Sequence, residues 1–103
     1  MKIKLISREI ELFKVGENAS KLDARLTGTV IYKENRIYFD GENPFHTCLH
    51  EIYHFYIKRI GFNQLEEFSR EVICDMFGTC IEQLMLENGN DIFIKLKQFA
   101  EEK

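Results

Sequence analysis

A chain of 103 residues, 45% hydrophobic and 30% charged, has room for one hydrophobic core and one site, with no second domain to carry a separate activity, and its composition is that of a globular and not a disordered chain. We expect a single domain over residues 1–103. A net charge of -3 excludes recognition through a phosphate backbone, which needs a clustered excess of Lys and Arg, so no nucleic-acid partner is expected.

From Met1 to Asp40 the pattern alternates with a two-residue period. Ile3, Leu5, Ile10 and Leu12 face one way, and Lys2, Lys4, Glu9 and Glu11 the other, which predicts two short strands in a hairpin. Arg8, Glu9 and Glu11 also interrupt any apolar signal region, so the N-terminus reads as structure and not as an address. Gly16 to Asn18 is a turn, and Ala19 to Leu26 carries no decisive pattern. Val30 to Lys33 and Arg36 to Asp40 flank Glu34-Asn35, a short connection that suits a second hairpin. The first half of the chain is thus expected to form a small antiparallel sheet.

At Asn43-Pro44 the pattern changes to that of a helix start, with Asn43 as N-cap and Pro44 as the first helical residue. The helix is expected to reach Ile60 and to end at Gly61. A second helix, Leu65 to Glu87, carries Val72, Ile73, Met76, Phe77, Cys80, Ile81 and Leu84 as a core stripe. Asn88-Gly89-Asn90 stops it, and Ile92, Leu96 and Phe99 give a short third helix one apolar edge. The expected fold class is α+β, an N-terminal sheet packed on three helices. No uncharged apolar run approaches the roughly 18 residues of a membrane span. Cys48, Cys74 and Cys80 are an odd number without C-x-x-C spacing, which fits a reducing compartment. A cytoplasmic protein is expected.

His50-Glu51-Ile52-Tyr53-His54 is the constellation that carries chemistry. Residues i and i+4 of a helix share a face about 6 Å apart along the axis, so two imidazoles can converge on one zinc ion. Glu51, beside the metal and outside its coordination shell, is the candidate general base for a zinc-activated water. The uncharged flanks Thr47-Cys48-Leu49 and Phe55-Tyr56 predict a largely buried helix in which these polar residues are the exception. His46 shares the histidine face but lies about 12 Å along the axis from His54. It is therefore a candidate for substrate contact and not for the same ion. Ile57 and Ile60 stand where a metzincin needs Gly and His. Cys48 is on the wrong face for a deformylase-like ligand. The third ligand is then expected from Glu66, Glu67, Glu71, Asp75 or Glu82 of the second helix, and Glu71, at the edge of its apolar stripe, is the one that packing favours. Tyr32, Tyr38 and Tyr53 are candidate donors to an oxyanion, with Tyr38 and Tyr53 also candidates for substrate contact.

The segment Thr47 to Phe55 resembles the active-site helix of gluzincin-type zinc peptidases. More narrowly, the chain resembles the ImmA/IrrE family and its short phage-type relatives, in which Glu71-Val72-Ile73-Cys74-Asp75-Met76-Phe77-Gly78 is similar to the second motif. The resemblance implies zinc as cofactor, with His50, His54 and Glu71 as ligands, and hydrolysis of a protein or peptide substrate such as a repressor in bacteria or a mobile element. It further implies that Arg36 to Asp40 receives an extended substrate by edge pairing. The competing reading is a catalytically silent, zinc-containing module that binds a partner protein.

Overall fold

The computed structural model describes residues 1–14, 28–61 and 70–102. The turn expected at 16–18, the stretch 19–26, the connection 62–64 and the expected first turn of the second helix, with Glu66 and Glu67, lie outside the described residues. The fold is α+β, and the described residues form one four-stranded sheet and three α-helices.

Strands β1 (Lys2–Leu5) and β2 (Arg8–Lys14) form the first hairpin, with Lys2 opposite Glu11 and Leu5 opposite Arg8. Their alternation is the one the sequence dictates, with Ile3, Leu5, Ile10 and Leu12 all buried. The turn is less ordinary. Ile6 and Ser7 have φ of 53° and 60°, a conformation that two-residue hairpin turns require and that Asn and Gly adopt at far lower cost than Ile. Strands β3 (Gly28–Ile31) and β4 (Arg36–Phe39) form the second hairpin, joined by a 3-10 turn at Tyr32–Glu34 and by Asn35 at φ 52°.

The strand order is β1-β2-β4-β3, and β2 pairs with β4 in parallel. The sheet is therefore mixed, where two antiparallel hairpins side by side were expected to give an antiparallel one. Alternation and turn residues specify pairing within each hairpin, whereas pairing between hairpins depends on the path of the chain that joins them. The same order corrects the expectation for edge pairing. β4, which holds Arg36 to Phe39, is bonded on both sides, and among the described residues the edge strand packed on α1 is β3.

Helix α1 (Pro44–Arg59) begins where expected, although its cap is backbone: the Thr47 N–H and hydroxyl both donate to the Asn43 carbonyl, at 3.0 and 3.1 Å. Gly61, at φ 89°, takes the left-handed conformation that follows many helix ends. Helix α2 (Arg70–Asn88) buries a narrower stripe than expected, Met76, Cys80 and Leu84, while Val72 and Phe77 are 38% and 47% exposed. Its C-terminal end grips the first hairpin. The Glu87 carboxylate accepts from the Ile6 and Ser7 N–H groups at 2.6 and 2.5 Å, and the Asn88 side chain bonds both the N–H and the carbonyl of Lys4. Helix α3 (Ile92–Glu101) buries Ile92, Leu96 and Ala100, with Phe99 edge-on to Phe39. One core unites the inward face of the sheet with Ile52, Phe55 and Tyr56 of α1 and with the buried faces of α2 and α3. Among the described residues no helix is long and apolar enough to cross a membrane.

Candidate metal centre and general base

The HEIYH motif lies in the middle of α1, and the pitch of the helix divides it between two faces. His50 and His54 are exposed, while Glu51 is only 8% exposed and faces the sheet. The two imidazole Nε2 atoms approach to 2.9 Å, with the rings edge-on and their centroids 4.6 Å apart. Two nitrogens bound to one tetrahedral zinc at 2.0–2.1 Å lie about 3.3 Å apart. The two nitrogens are therefore about 0.4 Å closer than two ligands of one ion, so the rings would have to part to admit it. Borderline-soft imidazole donors on an accessible face suit zinc chemically.

Glu51 sits between the histidines and the second hairpin. Gly28 opens β3 and pairs with Phe39, a core residue, so it stands on the inward face of the sheet. Its Cα lies directly against the Glu51 side chain: a Cβ built there would be 2.7 Å from Glu51 Cγ and 3.0 Å from both Cδ and Oε1. Burial pushes the Glu51 carboxyl above its ordinary value, and the neighbouring His54 and His50 act in the opposite direction. A carboxylate made more basic by burial, beside two metal-ligand candidates, has the character of a general base.

Two tyrosines flank the motif. The Tyr32 ring stacks on Phe55 at 6.2 Å between centroids. Its phenol is raised above its ordinary value first by burial and then by the negative charge of Glu51, which places it in the electrostatic reach of the base. On the opposite flank the Tyr53 hydroxyl donates to the Ile73 carbonyl at 3.2 Å, and its ring meets Phe77 edge-on. Tyr53 thus ties α1 to the first half of α2 with the hydroxyl that was a candidate for substrate contact. Tyr38 is on the face of the sheet turned away from α1, because its neighbours Ile37 and Phe39 both point into the core; it is buried and stacked on Phe13 at 5.0 Å. That placement corrects the expectation that it touches substrate or an oxyanion at the motif. His46 is exposed in the first turn of α1, beside an open depression lined by Lys14, Glu42 and Glu101.

Glu71 is exposed in the first turn of α2. Among the described residues no group of three His, Cys, Asp or Glu side chains is drawn together closely enough to hold a metal ion. The structure thus joins His50 with His54 and does not bring Glu71 to them. Gly28 is the site residue that reading the sequence missed. Its signal was a glycine opening a β-branched strand, a position that often marks close approach of another group.

Comparison with protein-family models, with curated proteins and with solved structures gave no match.

Proposed function

We propose that the protein is a zinc-dependent endopeptidase acting on an extended segment of a protein substrate, with His50 and His54 as metal ligands and Glu51 as general base. The observation that carries the reading is the convergence of the two Nε2 atoms at 2.9 Å on an open face, with a buried carboxylate on the next residue. A carboxylate of α2, Glu71 in this assignment, completes the protein ligands. The structure does not bring Glu71 to the histidines, so this ligation requires the first turn of α2 to approach α1, to which it is already tied at Tyr53 and the Ile73 carbonyl. When bound, zinc supplies Lewis acidity, polarising the scissile carbonyl and lowering the pKa of water toward about 7.

The chain's own residues do the rest. A Glu51 carboxylate oxygen takes the proton of the attacking water and returns it to the leaving amine, a role for which its raised affinity for the proton fits it. The outer edge of β3, one residue of which touches Glu51, receives the substrate as an added strand, so that main-chain hydrogen bonds hold the scissile bond near the base. A repressor or other regulator of bacterial or mobile-element origin is the substrate class that the resemblance suggests.

Elemental analysis of the purified protein, of His54→Ala and of Glu71→Ala tests the ligands. Stoichiometric zinc in the parent and its loss in both variants is the expected result. Glu51→Gln, incubated with a library of unstructured peptides and read by mass spectrometry, should keep zinc and lose cleavage. A second reading is favoured by the same 2.9 Å contact, since two histidines at hydrogen-bond distance satisfy one another without an ion. On that reading the face is a binding surface, and the parent takes up no zinc from a buffered solution.

A further inference from the structure

We infer that Gly28 is a positioning residue for Glu51, and that the bare Cα at this point of the edge strand fixes where the catalytic carboxylate stands; the inference rests on the peptidase reading. Glycine at position 28 has no conformational explanation, because its φ is not in the left-handed region, unlike that of Gly41, Gly61 or Gly89. Replacing such a glycine with alanine ordinarily stabilises a protein, since it narrows the unfolded ensemble. Here the added Cβ would meet Glu51 Cγ at 2.7 Å. The nearest atom is Cγ and not the carboxylate tip, so rotation about the outer bonds of the side chain does not relieve the overlap. Either χ1 of Glu51 changes, which swings the carboxylate away from the histidines, or β3 separates from α1. Both outcomes move the base relative to the edge that would hold the substrate. A displacement of about 1 Å in a catalytic group can lower the rate by about a hundredfold.

The test is a double-mutant cycle on denaturation midpoints, combined with kinetics. The parent, Gly28→Ala, Glu51→Ala and the double variant are unfolded in urea. The alanine at 28 should lower the midpoint in the parent background and leave it unchanged or raised once Glu51 has been truncated. An equal effect in both backgrounds overturns the inference. If Gly28→Ala fails to fold, recovery of a folded double variant supports it, and failure of both overturns it. On a peptide that the parent cleaves, Gly28→Ala should retain stoichiometric zinc and an unchanged KM while kcat falls about a hundredfold. An unaltered kcat overturns the inference. A parent that shows the stability coupling but neither binds zinc nor cleaves any peptide leaves the Gly28 contact standing and removes the peptidase reading instead.

Discussion

Arg59, at the C-terminal end of α1, is the clasp between that helix and the second hairpin, and its removal should be felt well beyond its own position. Its Nη2 donates to the Tyr32 carbonyl at 3.1 Å and to Asn35 Oδ1 at 2.8 Å, and the guanidinium lies 5.1 Å from the centre of the Phe55 ring. Two charge-assisted hydrogen bonds at about 1.5 kcal/mol each and a cation–π contact of about 0.5 kcal/mol favour the folded state. Against them stands Nε, buried without a partner, at a cost of about 1 kcal/mol. The net contribution is then about 2.5 kcal/mol, and Arg59→Ala should lower Tm by roughly 10–20 °C in a domain of this size. Calorimetry measures the loss, and a cycle with Asn35→Gly apportions it, since glycine keeps the left-handed φ of 52° without strain. Coupling of about 1 kcal/mol between the two positions is expected. Strictly additive variants, or a loss in Arg59→Ala below about 0.5 kcal/mol, the range of featureless surface positions, would refute the reasoning.

Glu87→Ala removes the acceptor of two N–H groups in a turn held at positive φ, and should cost about 2 kcal/mol, measured by urea denaturation; Ile6→Asn with Ser7→Gly, which suits that turn, should recover about 1 kcal/mol of it. In metal-free protein, Glu51→Gln should raise Tm at neutral pH. Because burial raises the folded-state pKa of this carboxyl, the stability of the parent falls as pH rises from the unfolded value through the folded one. The advantage of the amide should therefore be smallest in acid and largest above that window, and a gap that widens on acidification would contradict the assignment. Burial pushes the Cys48 and Cys80 thiols up to about 12, with Glu51 adding to the effect at Cys48, whereas Cys74 is exposed. Iodoacetamide at pH 8 should accordingly label Cys74 alone in the native protein and all three cysteines after unfolding, as read by mass spectrometry of the digests.

Much of this structure is legible in the residues themselves. Ile3, Leu5, Ile10 and Leu12 are buried as their alternation requires, and Pro44 and Gly61 bracket α1 as their backbone preferences require, because these signals act within a few residues. The spacing of His50 and His54 likewise specifies a shared face. The parallel pairing of β2 with β4 was not legible, since it joins segments brought together only by the tertiary path, and the expectation that Arg36 to Asp40 forms an open edge failed with it. Tyr38 could not be assigned a face until the strand had a register. Val72 and Phe77 have the spacing of a core stripe, yet exposure depends on what packs against α2 and not on period alone. Gly28 presents no pattern of its own, and its meaning emerges only from the helix that crosses it.

The division of the motif between two sides of α1 separates survival of the globule from its chemistry. Both histidines are exposed and neither belongs to the hydrophobic core of the described residues, so a variant that lost either should still fold. The carboxylate wedged beneath them has no such freedom, and any retooling of this scaffold toward a new ion or a silent receptor is easiest when it begins with the histidines.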